Sequence, residues 1–324
     1  MLEFKNYIGI LYSQKENYII ESKIGSGATC ECYKCFSYIN QMKYALKLYT
    51  EDNINEYLTE TQFLSKVKND NIVRLINNGE GNIRINEKNN NSYELQMFTK
   101  NKKKIYFEII ELLEKGEIFD YIYYPSQGFS EDISKIIFSQ ILNAVEYCHL
   151  NNIFHSDIKL ENLLLDDNYS IKLIDFSYSK ILNKNQLIKG WKGTRCYASP
   201  ELIKYGSCNY NGEKYDIFSL GVVLYILVIG KFPFDFAHFL DKNYKNIVNR
   251  DFDEFWKKCN VNVSHEFKDL INKILCNDPE SRLSIYDIRN HKWMNDIGMI
   301  EDYLYQKEFE YRKIIVDIRK NKRT

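Results

Sequence analysis

The sequence predicts an α+β fold in two parts, a small β-rich part with one helix followed by a larger helical one. Up to about residue 110, short β-like runs surround one helical stretch, whereas from residue 117 onward helical periodicity dominates. The length, 324 residues, is too great for one small core and suits either a two-lobed domain or two fused ones. No internal repeat interrupts the progression.

In chain order, Ile19-Ile20 to Ile24, Cys30 to Phe36 and Lys43 to Tyr49 read as strands, and Ile54 to Val67 as a helix. From Asn77 to Lys104 polarity rises, peaking at Lys88-Asn89-Asn90-Asn91-Ser92, with a basic run at Lys102-Lys103-Lys104. That stretch predicts a long polar loop or partly disordered insertion rather than a separate domain. Helical periodicity covers Ser130 to His149, Tyr215 to Ile229 and Glu266 to Leu275. Between the first two, Leu163-Leu164-Leu165 and Ile171-Lys172-Leu173 flank Asp166-Asp167-Asn168 and predict a tight β-hairpin. The tail after Trp293 is charged, reads as helical and carries no chemistry of its own.

Acidic and basic residues balance at 44 each, so no net field draws the chain to nucleic acid or to an anionic membrane. Met1-Leu2-Glu3-Phe4-Lys5 does not resemble a signal peptide, and the longest apolar stretch, Leu220 to Ile229, is about half a membrane span. The eight cysteines form no paired framework, which predicts reduced thiols and a cytoplasmic location. Cys30, Cys32 and Cys35 do not read as a zinc site: the first two alternate along one strand face, the third points the other way, and no fourth ligand is near.

The chemistry concentrates at His155-Ser156-Asp157-Ile158-Lys159-Leu160-Glu161-Asn162 and at Asp175-Phe176-Ser177. The hairpin between them returns the end of its second strand to the start of its first, which predicts Asp157 and Asn162 beside Asp175. Carboxylate and amide oxygens with one lysine suit a magnesium-bound polyphosphate. Upstream, Ile24-Gly25-Ser26-Gly27-Ala28-Thr29-Cys30 lies between two strands, where glycines let backbone amides approach phosphates. Taken alone, a plain glycine hairpin explains that loop as well. Lys47 stands in an apolar strand with Tyr44, Leu46 and Leu48, and a strand lysine is usually solvated. Glu60, however, shares a helix face with Leu64 and Val67, so its carboxylate points inward and calls for a cation. Lys47 is the natural partner.

In this order the motifs resemble those of the eukaryotic protein kinases: glycine loop, Ala45-Leu46-Lys47, Glu60, Asp157 to Asn162, Asp175-Phe176, Ser199-Pro200-Glu201 and Asp278-Pro279-Glu280-Ser281-Arg282. The resemblance implies the bilobal protein-kinase-like fold over 18–293, with an N-lobe 18–112 carrying the insertion of about 78–103, and a C-lobe 113–293. Residues 1–17 would be an N-terminal extension and 294–324 a charged tail.

By position, Asp157 would accept or orient the substrate hydroxyl proton, and Lys159 would steady the transferring phosphoryl group. Asn162 and Asp175 would hold Mg2+, and Lys47, braced by Glu60, would grip the α- and β-phosphates of ATP. Ile24, Gly25, Ser26, Gly27 and Ala28 would cover the nucleotide, and Cys32, Ala45 and Leu164 would sandwich its base. Glu111 and Leu113 fall where the hinge meets adenine, with Ile110 behind them as gatekeeper, and Glu117 falls near the ribose. Glu201 and Arg282 resemble a buried structural ion pair, and Asp216 is a brace for the catalytic loop, an ordinary helix N-cap, or both.

Lys159 and Gly193-Thr194-Arg195-Cys196-Tyr197 resemble serine/threonine kinases, and Glu117 and Glu161 the calcium/calmodulin-dependent and related basophilic groups. The implied partner is a protein whose serine or threonine follows basic residues. Departures are Cys30 for the third loop glycine, Ser177 after Asp175-Phe176, Ser199 before Pro200, and Ser156 for the arginine that clamps a phosphorylated activation segment. Between Ser179 and Thr194 the segment has no hydroxyl. Receptor and acceptor are missing together, which predicts activity independent of activation-segment phosphorylation. The rival readings are a pseudokinase, acting as a nucleotide-binding scaffold or allosteric partner, and a small-molecule kinase.

Overall fold

The computed structural model describes residues 7–99, 104–182, 186–190, 192–205, 209–257, 259, 261–297 and 302–322. Lys102 and Lys103 of the basic run, and Asn183, Lys184, Asn185 and Trp191 of the hydroxyl-free segment, lie outside them. The chain forms two compact units: Met1–Lys68, Ile72–Glu114 and Asp175–Ser177 in one, and Asn69–Asn71, Lys115–Ile174 and Tyr178–Thr324 in the other.

The first unit is a closed antiparallel barrel of six strands: β1 (Gly9–Ser13), β2 (Asn17–Ser26), β3 (Glu31–Ser37), β4 (Lys43–Thr50), β5 (Leu75–Ile85) and β6 (Ile105–Glu111). Their order is β1-β2-β3-β4-β6-β5, and β5 pairs back to β1 to close it. Alternation packs Leu11, Ile20, Tyr33, Cys35, Leu46, Leu48, Phe107 and Ile109 into one core. The helix α1 (Ile54–Leu64) turns Tyr57, Glu60, Phe63 and Leu64 inward.

Two expectations change here. Gly9–Ser13, expected to lie in an extension, is a barrel strand, because Ile8 and Leu11 are buried in the same core. The polar stretch expected from Asn77 is β5 as far as Ile85, followed by a 3-10 turn (Asn90–Leu95) and α2 (Gln96–Thr99). Polar residues on β5 alternate with Ile76, Ile83 and Ile85, while Leu95 and Phe98 cap the barrel core. Gly81 permits the closure: a Cβ there would meet Leu11 Cδ1 at 2.7 Å and the Tyr12 carbonyl at 2.9 Å.

The second unit is mainly helical. It opens with β7 (Gly116–Glu117), α3 (Ile118–Tyr123), α4 (Glu131–Leu150) and β8 (Ile153–Phe154), then the predicted hairpin β9 (Leu163–Leu165) and β10 (Ile171–Leu173). After β11 (Lys180–Ile181), which pairs with β8, come α5 (Pro200–Tyr205), α6 (Gly212–Ile229), α7 (Tyr244–Val248), α8 (Phe252–Lys257), α9 (His265–Ile274) and α10 (Ile285–Arg289). The tail forms α11 (Asp302–Asn321). Helix α4 starts at Ser130, whose Oγ accepts from the Ile133 amide, and α6 is apolar on every side and buried almost throughout.

Candidate active site

Each unit carries its own set of the expected residues. In the barrel unit, β2 and β3 form the glycine hairpin, closed by a hydrogen bond from the Gly27 amide to the Cys30 carbonyl at 2.8 Å. Ile24, Gly25, Ser26, Gly27 and Ala28 are exposed along it, and a Cβ on Gly25 would meet no protein atom within 4 Å. Cys32 pairs with Gly25 on one side and with Lys47 on the other, and Ala45 pairs with Ile110. Glu111 ends β6, where its carboxylate accepts from the Arg74 amide at 2.8 Å, and Leu113 follows half-buried.

The predicted Lys47–Glu60 pair is present. Lys47 Nζ donates to Glu60 Oε2 at 2.5 Å, and both residues are buried. Burial is the largest single effect and opposes the Lys47 charge, but the neighbouring acidic groups, Glu60 first among them, together outweigh it and hold the lysine's pKa well above its ordinary value. Asp175 Oδ1 lies 3.9 Å from the same Nζ, and Phe176 packs on Phe63 of α1 with ring centroids 4.4 Å apart. The left-handed backbone of this segment falls on Asp175 (φ 62°), and Ser177 is not among the described positive-φ residues. Serine therefore meets no conformational demand for glycine there.

In the helical unit, Asp157 is nearly enclosed and is the centre of a polar cluster. Lys159 Nζ donates to its Oδ2 at 2.6 Å and to Thr194 Oγ1 at 3.1 Å, while Thr194 Oγ1 donates to Asp157 Oδ1 at 3.0 Å. Asn162 Nδ2 donates to the Asp157 carbonyl at 2.9 Å. The β9–β10 hairpin returns Ile174 to this loop, its amide donating to the Asn162 carbonyl at 3.0 Å. Glu117 and Leu164 are cross-strand partners in the β7–β9 pair. Burial, then the charges of Asp120 and Glu161, push the Glu117 carboxyl up.

The loop is held from below by Asp216. Its Oδ2 accepts from the His155 amide at 2.9 Å and lies 2.9 Å from His149 Nε2, and its Oδ1 accepts from the Ser156 amide at 2.9 Å. The cap of α6 is Asn211, so of the two roles left open for Asp216 the structure shows the brace. The expected Glu201–Arg282 pair is bidentate, at 2.8 and 2.6 Å.

The donor set fits Mg2+, a hard cation that takes oxygen ligands. Within the helical unit Asn162 donates through Nδ2 to the Asp157 carbonyl, so its Oδ1 would be the atom left to meet such a cation, and within the barrel unit Asp175 carries a carboxylate of the kind Mg2+ takes.

Two residues beside Lys47 escaped the sequence reading. Tyr49 Oη lies 2.8 Å from Glu60 Oε2 and 2.9 Å from Glu108 Oε2. The signal was there: Glu108 is the one charge inside Ile105-Tyr106-Phe107-Glu108-Ile109-Ile110.

A β-barrel unit with a buried lysine–glutamate pair, and a helical unit with an enclosed Asp-Lys-Thr-Asn cluster before a hairpin, define a protein-kinase-type domain. The comparisons agree. The protein kinase domain family matches residues 18–294, and the chain belongs to it. It is 30% identical over 304 residues to the probable serine/threonine-protein kinase MARK-B of Dictyostelium discoideum, covering 93% of this chain and 38% of that protein. It is 32% identical over 280 residues to CBL-interacting protein kinase 11 of Oryza sativa subsp. japonica, covering 85% and 51%. With the SNF1-related protein kinase catalytic subunit alpha KIN12 of Arabidopsis thaliana it shares 38% identity over 190 residues, covering 59% and 36%. The chain spans about a third to a half of the length of these relatives. Among the described residues no helix is long and apolar enough to cross a membrane.

Proposed function

We propose that this chain is a serine/threonine protein kinase that transfers the γ-phosphoryl group of ATP to protein hydroxyls. The observation that carries the reading is the Asp157 cluster. Asp157 Oδ1 is oriented by Thr194 and Oδ2 by Lys159. As the acceptor oxygen bonds to the γ-phosphorus and the bond to the β–γ bridging oxygen breaks, Asp157 receives the hydroxyl proton and ADP leaves. Lys159 offsets charge on the moving phosphoryl group, and Lys47, held by Glu60, grips the α- and β-phosphates. Asn162 and Asp175 would hold Mg2+, which supplies charge neutralisation at the phosphates. Ile24 to Ala28, Cys32, Ala45, Glu111, Leu113, Glu117 and Leu164 form the nucleotide's surroundings in this reading.

The domain in this reading extends over 18–293 together with the Gly9–Ser13 strand that closes its barrel, and a cytoplasmic location fits the free cysteines among the described residues. Two finer features belong to the same reading. Substrates carry basic residues before the acceptor, supported by Glu117 lying within the field of Asp120 and Glu161. Activity does not wait for activation-segment phosphorylation, supported by Ser156 and by a segment without hydroxyls.

The test is incubation with radiolabelled ATP, Mg2+ and a degenerate peptide library, beside Asp157→Asn. Transfer to Ser and Thr peptides with upstream Arg or Lys, lost in the variant, is expected. Equal incorporation by Asp157→Asn overturns the catalytic assignment, and an even peptide profile overturns the basic preference. Phosphatase treatment is expected to leave activity intact; its abolition would overturn the independence.

A further inference from the structure

Glu108 has no solvent exposure, yet it lies within reach of a second enclosed carboxylate. The phenol of Tyr49 stands between them, 2.8 Å from Glu60 Oε2 and 2.9 Å from Glu108 Oε2. A phenol has one proton and can donate only one hydrogen bond. Two oxygen–oxygen contacts at these distances need two protons, so the second must come from a carboxyl group. Glu60 Oε2 already accepts from the Lys47 ammonium at 2.5 Å, which makes Glu60 the anion. The acid is therefore Glu108. Its other oxygen, Oε1, accepts from Thr61 Oγ1 at 2.6 Å.

We propose that Glu108 is a positioning residue that acts as a neutral carboxylic acid: it donates to Tyr49 Oη, so that Tyr49 donates to Glu60 and fixes it on Lys47. This rests on the phosphotransfer reading of Lys47. Glu60 and Thr61 are neighbours on α1, so Glu108 tethers that helix to the barrel twice, once directly through Thr61 and once through Tyr49. Among the described residues Lys47 is the cation that balances Glu60, and Asp175 lies 3.9 Å from it. A second buried anion at Glu108 would have no counter-charge of its own and would break one of the two contacts to Tyr49.

The titratable and charged groups facing Glu108 are Lys47 and Tyr49 from β4 and Tyr57 and Glu60 from α1. On β5 its strand partner is the neutral Asn78, and Glu80 acts on Tyr57. Burial first, then the Glu60 charge, push the Glu108 carboxyl up to about 8, against the opposing pull of Lys47, Thr61 and Tyr49. Tyr49 is held as a phenol by burial first and then by the Glu60 carboxylate.

The experiment measures kcat/KM for ATP from about pH 6 to about 10 on the full chain, wild type beside Glu108→Gln and Glu108→Leu. Glutamine keeps the shape, donates to Tyr49 through its amide and accepts from Thr61. It is expected to stay within about twofold of wild type at neutral pH and to lose the alkaline fall that wild type shows above about 8. Leucine supplies neither bond and is expected to lose about tenfold, chiefly through a higher KM for ATP. A purely structural glutamate would not move the alkaline limb. An unchanged limb in Glu108→Gln, or a large loss in that variant at neutral pH, overturns the proposal.

Infrared spectroscopy separates this from the fate of the phosphotransfer reading. A carboxylic-acid carbonyl band in the wild-type chain at neutral pH, absent from Glu108→Gln, supports the proton's location whether or not phosphate is transferred. Its absence from wild type overturns it. A chain that shows the band but transfers no phosphate overturns only the kinase reading.

Discussion

The Arg312 guanidinium lies 4.0 Å from the centroid of the Phe129 ring and closes a cage of carbonyls around itself. Its Nη1 donates to the Tyr121 and Gln127 carbonyls at 2.9 and 2.7 Å, and its Nη2 to the Gly128 carbonyl at 2.7 Å. Its Nε pairs with Glu308 at 2.6 Å. Beside it, Phe309 of α11 stacks with Tyr169 and tilts against Tyr121 and Phe129. The tail that read as charged and without chemistry is thus fastened to the helical unit by a buried cation, by Phe309 and by Tyr305, whose hydroxyl donates to the Tyr169 carbonyl at 2.9 Å.

Removing that cation should be costly. Arg312→Met keeps the stem but strips the hydrogen bonds from three backbone carbonyls that the helix covers. Because partners of a charged group are lost together, unfolding free energy should drop by about 3 kcal/mol, read by urea denaturation. Arg312→Lys should recover only part of this, since an ammonium cannot match the planar fork to three fixed acceptors. A lysine variant as stable as wild type would show that charge alone, without geometry, holds the tail.

The two halves of the Lys47–Glu60 pair should respond unequally to mutation. Lys47→Met leaves Glu60 buried as an anion whose Oε1 already has no hydrogen-bond partner among the described residues. That variant should lose about 3 kcal/mol of stability as well as ATP binding. Glu60→Gln leaves the Lys47 ammonium with Asp175 Oδ1 still 3.9 Å away, so it should be destabilised less. Parallel urea titrations decide the order.

Strands β2, β3 and β4, helices α1, α4, α6 and α9 and the β9–β10 hairpin could be read from alternation and helical spacing, because in each the apolar residues mark one buried face or, in α6, nearly every face. Lys47 and Glu60 could be paired for the same reason: two charges sat where only apolar residues belong. Four things were not legible, the first of them β1, whose five residues are too few to show an alternation. Strand β5 looked like a polar loop because half of its residues face outward and its partners β1 and β6 are remote in sequence. Glu108 offered a signal but no partner, since Tyr49 reads as another apolar strand residue until its hydroxyl is placed. Arg312 is one of several basic residues on α11, and only the docked helix shows which of them is inside.

Glu201 and Arg282 set an acid limit on stability. Burial works against the Glu201 charge, but the hydrogen bonds and charge of Arg282 outweigh it and hold the carboxyl below its ordinary value. A carboxyl lowered on folding contributes stability that is complete above its unfolded pKa and is lost as pH falls through the folded value. Glu201→Gln should therefore be clearly less stable than wild type at neutral pH, and the gap should narrow in the acid range below about pH 4. Thermal unfolding across that range checks it; a gap that does not narrow would place the loss in packing rather than in the ion pair.

Ser156 and Asp216 make the last case, because a strained residue and its restraint can be separated. Ser156 adopts φ 65°, a left-handed conformation that costs a residue with a Cβ about 1 kcal/mol or more, and the Asp216 carboxylate holds its amide there. The same carboxylate takes the His155 amide and faces His149 Nε2, so both of its oxygens are engaged on the loop that carries Asp157. Asp216→Asn replaces one oxygen with an N–H donor that must face another donor. The loop should shift, and kcat should fall about tenfold to a hundredfold while KM for ATP changes little. Ser156→Gly keeps the amide and removes the conformational cost, so it should leave kcat unchanged and raise stability by about 0.5 kcal/mol. If Ser156→Gly lost activity as Asp216→Asn does, the serine side chain rather than the braced backbone would be what the loop requires. Steady-state kinetics on the two variants, with urea denaturation beside them, distinguishes the outcomes.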